Sequence, residues 1–281
     1  MAIQFIIDSA ADILPNEAEK YGIIHIPLTI LFDNEEYRDA VDITHAEFYE
    51  KLIESDILPT TCQIPPALFE DAYKKVTDAG DEAIVITLSS RLSGTYQSAV
   101  IAADGFDNIH VVDSENVSLG ERILIQRALE MREQGFTADE IVISLNIEKK
   151  HVRLMALLDT LEYLKKGGRI SAATAVAGAI LGIKPVITLE EGAVEVIGKA
   201  RGSKQGNNLL RELVVKCGGI DFGKPLCLAY SGLSDEMLQK YIIDSEELWK
   251  GNTDVLPIAT VGCAIGTHAG PGAIAVAFFE K

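Results

Sequence analysis

The sequence has little positive charge and few cysteines, and both shortages argue against classes of function. Its 25 lysine and arginine residues stand against 42 aspartate and glutamate residues, which gives a net charge of −17. Nucleic-acid binding needs a concentrated basic surface, so we expect none. The four cysteines form no Cys-x-x-Cys pair, which argues against a zinc site and a disulfide framework. We expect reduced, mostly buried thiols and no metal.

The sequence also lacks a long apolar run and a signal peptide. Its longest apolar run, residues 172–183, is interrupted only by Thr174 and is shorter than the roughly 20 residues that span a bilayer. We expect this run to form a buried helix rich in alanine and glycine. The N-terminus has the pattern of a strand that ends at Asp8, without a basic segment before it. We therefore expect the protein to stay in the cytoplasm.

Two glycine-rich segments imitate nucleotide-binding motifs without meeting their requirements. Residues 218–225 have P-loop spacing, but Pro225 occupies the position of the magnesium-binding hydroxyl residue and a predicted strand follows. Residues 270–275 imitate a dinucleotide fingerprint, but the six residues after them have a strand pattern, so no helix N-terminus can hold a pyrophosphate. We expect no nucleotide site in this chain.

The length and the pattern of the chain predict two α/β domains. At 281 residues the chain is long enough for two cores. Strand and helix patterns alternate in the first half, which predicts a parallel sheet with helices on both faces. In the second half Glu190-Glu191-Gly192 is typical of a hairpin turn, so we expect a mixed sheet there. We place the domains at residues 1–150 and 151–281, with a ligand cleft between them.

The predicted elements follow from hydrophobic periodicity and turn residues. The strands cover residues 3–8, 23–32, 83–88, 109–112, 152–158, 184–188, 194–199, 226–230, 256–260 and 273–279. The helices cover residues 14–21, 45–54, 67–79, 96–103, 120–134, 203–216 and 235–249.

Three polar segments lie where a ligand site is expected. Residues 8–12 and 88–95 follow predicted strands, and residues 266–272 place His268 in a loop bracketed by glycines. Ligands of parallel α/β sheets bind beyond the carboxyl ends of the strands. Close backbone approach at the glycines suits a histidine that contacts a ligand. We therefore expect the three segments to form one polar site.

The second segment carries more hydroxyl groups than one helix cap requires. The surplus, together with the free amides of a helix N-terminus, would suit an anion. Asp8 and Asp12 would repel an anion, so we expect them to bond loop amides or cap the first helix. The hydroxyl residues are Ser89, Ser90, Ser93 and Thr95.

A serine hydrolase acting on an acyl ester is an alternative. Ser93, His268 and Asp8 could form a catalytic triad, since triads are defined by geometry and not by sequence position. The segment around Ser93 lacks the glycine two residues before the serine that a nucleophile elbow needs. The sequence therefore favours a binding role for Ser93.

The motifs, in their order and spacing, carry a resemblance to a known family over nearly the whole chain. They are Asp8-Ser9 with Asp12, Thr60-Thr61-Cys62-Gln63 before a proline pair, residues 88–98, Asp113-Ser114 with Gly120, Leu158-Asp159-Thr160-Leu161 leading to Lys166-Gly167-Gly168-Arg169-Ile170, Lys184-Pro185, Arg201 with Lys204, and Gly266-x-His268-x-Gly270-Pro271-Gly272. Together they resemble the DegV family, whose members are the fatty-acid-binding subunits of bacterial fatty acid kinase.

The resemblance implies a protein that holds one long-chain fatty acid between two α/β domains, with its tail buried. The family's carboxylate contacts fall on Thr61, Ser93, the backbone at Gly94, and His268, without a lysine or arginine clamp. The resemblance further implies a separate ATP-dependent kinase subunit that converts the bound acid to an acyl phosphate for phospholipid synthesis. This chain would then be a binding subunit with no cofactor and no catalysis of its own. A carrier of another apolar acid is an alternative.

The resemblance also implies a docking surface, and the sequence departs from the family's pattern at one position. Arg201 matches a position associated with partner or membrane contact. Local basic groups could allow transient contact with an anionic membrane despite the acidic whole, so we add Arg169 and Lys204, with Lys165 and Lys166, as docking candidates. Cys62 stands where the family usually has serine, which weakens hydrogen bonding at that position.

Overall fold

A parallel sheet forms the centre of the first half of the chain. The computed structural model describes residues 1–171 and 182–281. Four strands pair in the order β2-β1-β6-β7, all parallel. Most of their residues are buried, as expected for strands with helices on both faces. The strands are β1 (Ile3–Asp8), β2 (Ile23–Ile26), β6 (Glu82–Thr87) and β7 (Ile109–Asp113).

A small antiparallel sheet lies beside it and corrects one prediction. The single strand predicted at residues 23–32 is two strands, β2 and β3, which belong to different sheets. Pro27 lies between them, and a proline cannot donate a ladder hydrogen bond. The sheet has the order β4-β3-β5. Its strands are β3 (Thr29–Phe32), β4 (Glu35–Arg38) and β5 (Thr60–Cys62).

The second half forms the predicted mixed sheet. Its six strands have the order β10-β9-β8-β13-β11-β12, and only β11 and β12 pair in parallel. Positive φ at Glu191 and Gly192 forms the hairpin turn between β9 and β10, as expected. The strands are β8 (Val152–Leu157), β9 (Ile183–Glu190), β10 (Ala193–Arg201), β11 (Cys227–Tyr230), β12 (Ile258–Thr260) and β13 (Ile274–Phe279).

Most helices predicted from strong periodicity are present, but those at Ala138–Glu148, Glu162–Lys166 and Cys263–Ala269 were not predicted. A capping box formed by Thr137 and Glu140 begins a helix that the sequence analysis missed. The helix predicted at residues 235–249 is two helices that meet at Ser245. The helix predicted at residues 172–183 falls almost entirely on residues 172–181, outside the described residues. The described helices are α1 (Pro15–Lys20), α2 (His45–Glu54), α3 (Pro66–Asp78), α4 (Thr95–Ala102), α5 (Leu119–Glu133), α6 (Ala138–Glu148), α7 (Glu162–Lys166), α8 (Gly202–Lys216), α9 (Glu236–Asp244), α10 (Glu246–Trp249) and α11 (Cys263–Ala269).

The two halves share one core. Helix α5 contacts β6 of the parallel sheet and also β8, β11 and β13 of the mixed sheet. One buried apolar cluster contains Phe5 and Ile84 from the first half and Phe279 from the second. Helix α11, although close to the C-terminus, packs against α2 and the small sheet. A mixed α/β fold is thus confirmed, and the boundary at residue 150 stays a prediction.

The structure bears on the expected burial of the cysteines and on the apolar segments. Cys227 and Cys263 are buried free thiols, but Cys62 is exposed and Cys217 is partly exposed. Two of the four thiols are therefore buried, fewer than expected. Among the described residues, no helix is both long and apolar enough to cross a membrane.

A buried carboxyl group on α5 generates a prediction about stability. Glu121 is fully buried, and neither of its side-chain oxygens has a hydrogen-bond partner among the described residues. Burial, with the charges of Asp8 and Asp12, raises the pKa of Glu121 well above its ordinary value of 4.5. Between these two pKa values the folded protein keeps a proton that the unfolded chain has lost, so the free energy of unfolding falls as the pH rises.

We therefore expect the free energy of unfolding of Glu121→Gln to fall less steeply with rising pH than that of the native protein. The free energy of unfolding of the variant should exceed that of the native protein by about 1–3 kcal/mol at about pH 8 and by little at about pH 5, because Gln cannot ionise. Urea unfolding at both pH values measures this difference. Glu133→Gln, an exposed position on the same helix, is the control and should change neither value. Equal effects of Glu121→Gln at both pH values would contradict the assignment.

Candidate functional site

A large apolar cavity lies where the two halves of the chain meet. Its empty space is about 1020 Å³, a volume that includes open solvent at the mouth. Most of its wall consists of aliphatic side chains from both halves of the chain. They include Leu28 and Leu88 from the first half, and Leu154, Ile187, Ile265 and Ile274 from the second.

Polar side chains also line the cavity, and two of them make a direct contact. Thr61 Oγ1 lies 3.0 Å from His268 Nε2, a contact that joins strand β5 to helix α11. Both residues line the cavity, together with Cys62, Gln63 and Ser93. Cys62 and Gln63 are exposed, so this end of the cavity reaches the surface. A ligand with a long apolar part and a polar end would thus place the polar end beside the solvent.

The backbone at Gly94 lies against Gln63. A Cβ added at Gly94 would collide with the Gln63 side-chain amide, so only glycine allows this approach. Gln63 Nε2 in turn donates to Ser98 Oγ at 3.1 Å, which fixes the amide against helix α4. Gln63 is therefore a polar residue of the site that the sequence analysis quoted in a motif but did not assign.

Ser93 connects the mouth to the start of α4. Its Oγ accepts a hydrogen bond from the Thr95 amide at 3.2 Å and lies 2.9 Å from Thr95 Oγ1. Ser89 instead donates to the carbonyl of Gly192 at 2.7 Å, which ties the β9–β10 hairpin to this loop. Within this group of hydroxyl residues, Ser93 thus lines the cavity, whereas Ser89 joins the two halves of the chain.

Arg169 brings a positive charge to the cavity. Its Nε donates to the carbonyl of Leu92 at 3.0 Å and its Nη1 donates to the carbonyl of Gly167 at 2.6 Å. These two bonds hold the partly exposed guanidinium beside Ser93 and His268, which also line the cavity. The sequence analysis assigned Arg169 to a docking surface and expected no cation among the site residues. A long-range contact brings residue 169 to residue 92 and so places Arg169 in the cavity lining, while the expected absence of a cationic clamp on the carboxylate stays a prediction.

His268 is neutral at neutral pH. Burial and the positive charge of Arg169 lower its pKa to about 4. Its Nδ1 is buried without a hydrogen-bond partner among the described residues, and a Cβ added at Gly167 would collide with that atom. A carboxylate placed beside the ring would favour the protonated form and raise the pKa again. The site therefore gains electrostatic complementarity when an anion enters.

The structure corrects the expected setting of His268. The residue is in the last turn of helix α11 and not in a loop, and the loop follows at residues 270–272. Gly270 has φ +71°, and a Cβ added there would collide with the Tyr163 ring. Ser231 Oγ donates to the carbonyl of Gly270 at 2.7 Å and accepts from the Ala273 amide at 2.8 Å. Gly270 thus allows the chain to turn at the end of α11 while it packs closely against Tyr163 of α7.

Buried carboxylates attach α11 to the first half. Asp12 Oδ1 accepts from the Gly262 amide at 2.8 Å, and Asp39 accepts from the amides of Cys263 at 3.1 Å and Ala264 at 3.3 Å. These are the amides that a helix N-terminus leaves without internal partners. Asp8 accepts from the amides of Ala10 and Leu88 at 2.9 and 2.8 Å. The structural roles predicted for Asp8 and Asp12 are therefore confirmed.

The contacts do not support a hydrolytic triad. Among the described residues, Ser93 and His268 are not hydrogen-bonded to each other, since Ser93 bonds Thr95 and His268 bonds Thr61. The Asp8 carboxylate bonds backbone amides, and burial raises its pKa to about 7. It therefore does not orient the imidazole as a triad requires.

The remaining predicted basic residues lie outside the cavity lining. Arg201 and Lys204 are exposed at the junction of β10 and α8. Lys165 and Lys166 are exposed in the last turn of α7. The fold and the cavity together define an α/β protein that encloses an apolar chamber with one polar, cationic end.

Comparison with known proteins gives the family. A model of the DegV family, described as an uncharacterised protein family, matches residues 2–281. A DegV domain-containing protein of Caldanaerobacter subterraneus is 37% identical over 283 residues, which cover 99% of each chain. A fatty-acid-binding DegV family protein from Thermus thermophilus is 31% identical, with a TM-score of 0.89 and full coverage of both chains. A DegV family protein from Eubacterium eligens loaded with heptadecanoic acid is 27% identical, with a TM-score of 0.85 and full coverage of both chains. This chain belongs to the DegV family.

The packing of Gly270 generates a prediction. We expect Gly270→Ala to lower the free energy of unfolding by about 2–4 kcal/mol, because the new Cβ adds overpacking to backbone strain. Gly135→Ala is the matched control, since Gly135 also has positive φ but has open space where the Cβ would lie. It should cost about 1 kcal/mol. Urea denaturation measures both, and equal losses would show that the Tyr163 contact is unimportant.

Proposed function

We propose that this protein binds one long-chain fatty acid and presents its carboxylate to a separate ATP-dependent kinase subunit. The observation that carries the proposal is the apolar cavity that has Thr61, Arg169 and His268 in its lining and the exposed Cys62 and Gln63 at its mouth. The relatives that bind fatty acids share this fold over their full length. An amphiphile with a single acidic end matches both parts of the cavity.

The aliphatic wall supplies the affinity. Burial of a tail of about fifteen methylenes gives a gross gain of about 12 kcal/mol at about 0.8 kcal/mol for each methylene. The loss of translational freedom and the ordering of the chain reduce this gain. The remainder is enough for tight binding of a molecule that is poorly soluble in water. The cavity therefore acts as a carrier for a lipid that would otherwise stay in a membrane.

The polar end positions the carboxylate. The Thr61 hydroxyl, the backbone at Gly94 and the His268 imidazole replace water as hydrogen-bond partners, and the Arg169 guanidinium offsets the negative charge. Ser93 lies beside them and contributes its hydroxyl. Charge on Arg169 also favours binding of the phosphorylated product, which carries more negative charge than the acid.

Phosphoryl transfer requires a nucleotide site on another subunit. In the reaction, a carboxylate oxygen of the fatty acid forms a bond to the γ-phosphorus of ATP, the bond to the β–γ bridging oxygen breaks, and ADP leaves. Residues 218–225 are followed by strand β11 and not by the helix that a P-loop requires, which supports a nucleotide bound by the partner. The exposed mouth at Cys62 and Gln63 makes the carboxylate accessible to that partner.

Exposed basic residues form the proposed docking surface. Arg201 and Lys204 are exposed, and Arg169, which lines the cavity, is partly exposed. An anionic partner or an anionic membrane would be attracted to these side chains, whereas the rest of the acidic surface would repel it. Their role is therefore recognition of the kinase subunit, with transient membrane contact during lipid exchange.

Removal of one hydroxyl tests the head-group assignment. We expect Thr61→Val to weaken palmitic acid binding about tenfold, or about 1.4 kcal/mol, because it removes a hydrogen bond to the carboxylate but keeps the shape. Binding of methyl palmitate should change little. Displacement of a fluorescent fatty acid measures both ligands. Ser90→Ala, an exposed hydroxyl outside the cavity lining, is the control. Equal weakening for acid and ester would contradict the assignment.

A charge reversal tests the docking assignment. We expect Arg201→Glu to lower the rate of phosphoryl transfer by the kinase subunit about tenfold, while fatty-acid affinity stays unchanged. Lys216→Glu makes the same charge change at an exposed position at the other end of α8 and should leave the rate unchanged. Radiolabelled ATP and acyl-phosphate detection measure the transfer. An unaltered rate in the Arg201 variant would remove this residue from the docking surface.

A further inference from the structure

Three side chains with different donor atoms meet beside the N-terminus of α11. The Asp39 carboxylate, the His45 imidazole and the Cys263 thiol each offer one atom, and these atoms lie within 4.8 Å of one another. Asp39 follows β4, His45 begins α2 and Cys263 begins α11. No metal was expected from the sequence, because the four cysteines form no Cys-x-x-Cys pair. The fold instead brings together residues more than 200 positions apart.

We propose that Asp39, His45 and Cys263 form a binding site for a thiophilic divalent cation, with zinc as the ion that fits the donor set best. Zinc binds oxygen, nitrogen and sulfur ligands with a tetrahedral arrangement. The carboxylate and the thiolate together balance the two positive charges, and the imidazole binds as a neutral ligand. The thiol proton passes to the solvent when the ion binds.

Neighbouring groups fix the orientation of the Asp39 carboxylate. Ser9 Oγ donates to Oδ2 at 3.0 Å, and the amides of Ala264 and Cys263 donate to Oδ2 and Oδ1. Such outer hydrogen bonds orient carboxylate ligands in metal sites. Each carboxylate oxygen can accept more than one bond, so these contacts leave room for an ion.

Gly262 allows the His45 ring to approach the other two donors. A Cβ added at Gly262 would lie 3.1 Å from His45 Nε2 and 2.8 Å from Asp12 Oδ1, so a larger residue would press on both groups. Asp39 and Cys263 are buried, whereas His45 is only partly buried. Because His45 is partly exposed, the proposed site would meet solvent at this residue, and water would supply the fourth ligand.

Ion binding needs a small closure of the three side chains. Zinc bonds of about 2.0–2.3 Å in a tetrahedral arrangement place ligand atoms about 3.3–3.8 Å apart. The donors therefore move together by about 1 Å, which rotation of the His45 and Cys263 side chains supplies. This site is separate from the fatty-acid cavity and its existence does not depend on the proposed function.

Cobalt titration of the metal-free, full-length protein tests the site. We expect one equivalent of Co²⁺ to give a sulfur-to-cobalt charge-transfer band and the intense visible bands of tetrahedral cobalt, both removed by one equivalent of Zn²⁺. Cys263→Ser should abolish the sulfur band. Cys62→Ser and Cys217→Ser, at the two more accessible cysteines, are controls and should keep it.

A second variant keeps the test decisive if Cys263→Ser does not fold. His45→Ala changes a partly buried side chain and should weaken Co²⁺ and Zn²⁺ binding at least about tenfold. The absence of a sulfur band in the native protein would overturn the proposal. A sulfur band that persists in Cys263→Ser or disappears in Cys62→Ser would overturn it as well. So would an unchanged affinity of His45→Ala for Co²⁺ and Zn²⁺.

Discussion

The attachment of α11 to the first half of the chain is the constraint on which the site depends. Asp12 and Asp39 accept hydrogen bonds from the first amides of the helix across more than 200 residues of sequence. Both carboxylates are buried, and removal of either would leave helix amides without partners in a region that excludes water. Because the last turn of the same helix carries His268, these bonds also determine where the imidazole lies against Thr61.

The cavity combines two environments that have different physical roles. Its aliphatic wall comes from sheets and helices of both halves, so the apolar part can form only when the halves pack together. Its polar end comes from strand and helix termini, where backbone amides and short side chains are exposed. Burial keeps His268 neutral while Arg169 supplies a fixed positive charge. An anion bound at the proposed site would therefore not form a fully desolvated ion pair.

Much of the fold and part of the site could be predicted from the sequence. Strand β1 and helix α2 have the predicted bounds, because their hydrophobic patterns are strong and their ends carry clear signals. Thr61, Ser93 and His268 all line one cavity. The assignment of Arg169 and the donor cluster around Asp39 could not be predicted, since both depend on contacts between distant segments. Local periodicity also could not separate β2 from β3 as members of different sheets.

Extraction of the purified protein with organic solvent, followed by mass spectrometry of the released lipids, tests the central claim most directly. The account predicts about one equivalent of long-chain fatty acid for each chain, released without covalent cleavage. It also predicts that protein stripped of lipid takes up one equivalent again after incubation with palmitic acid. A protein that contains no fatty acid and takes up none after this incubation would contradict the account.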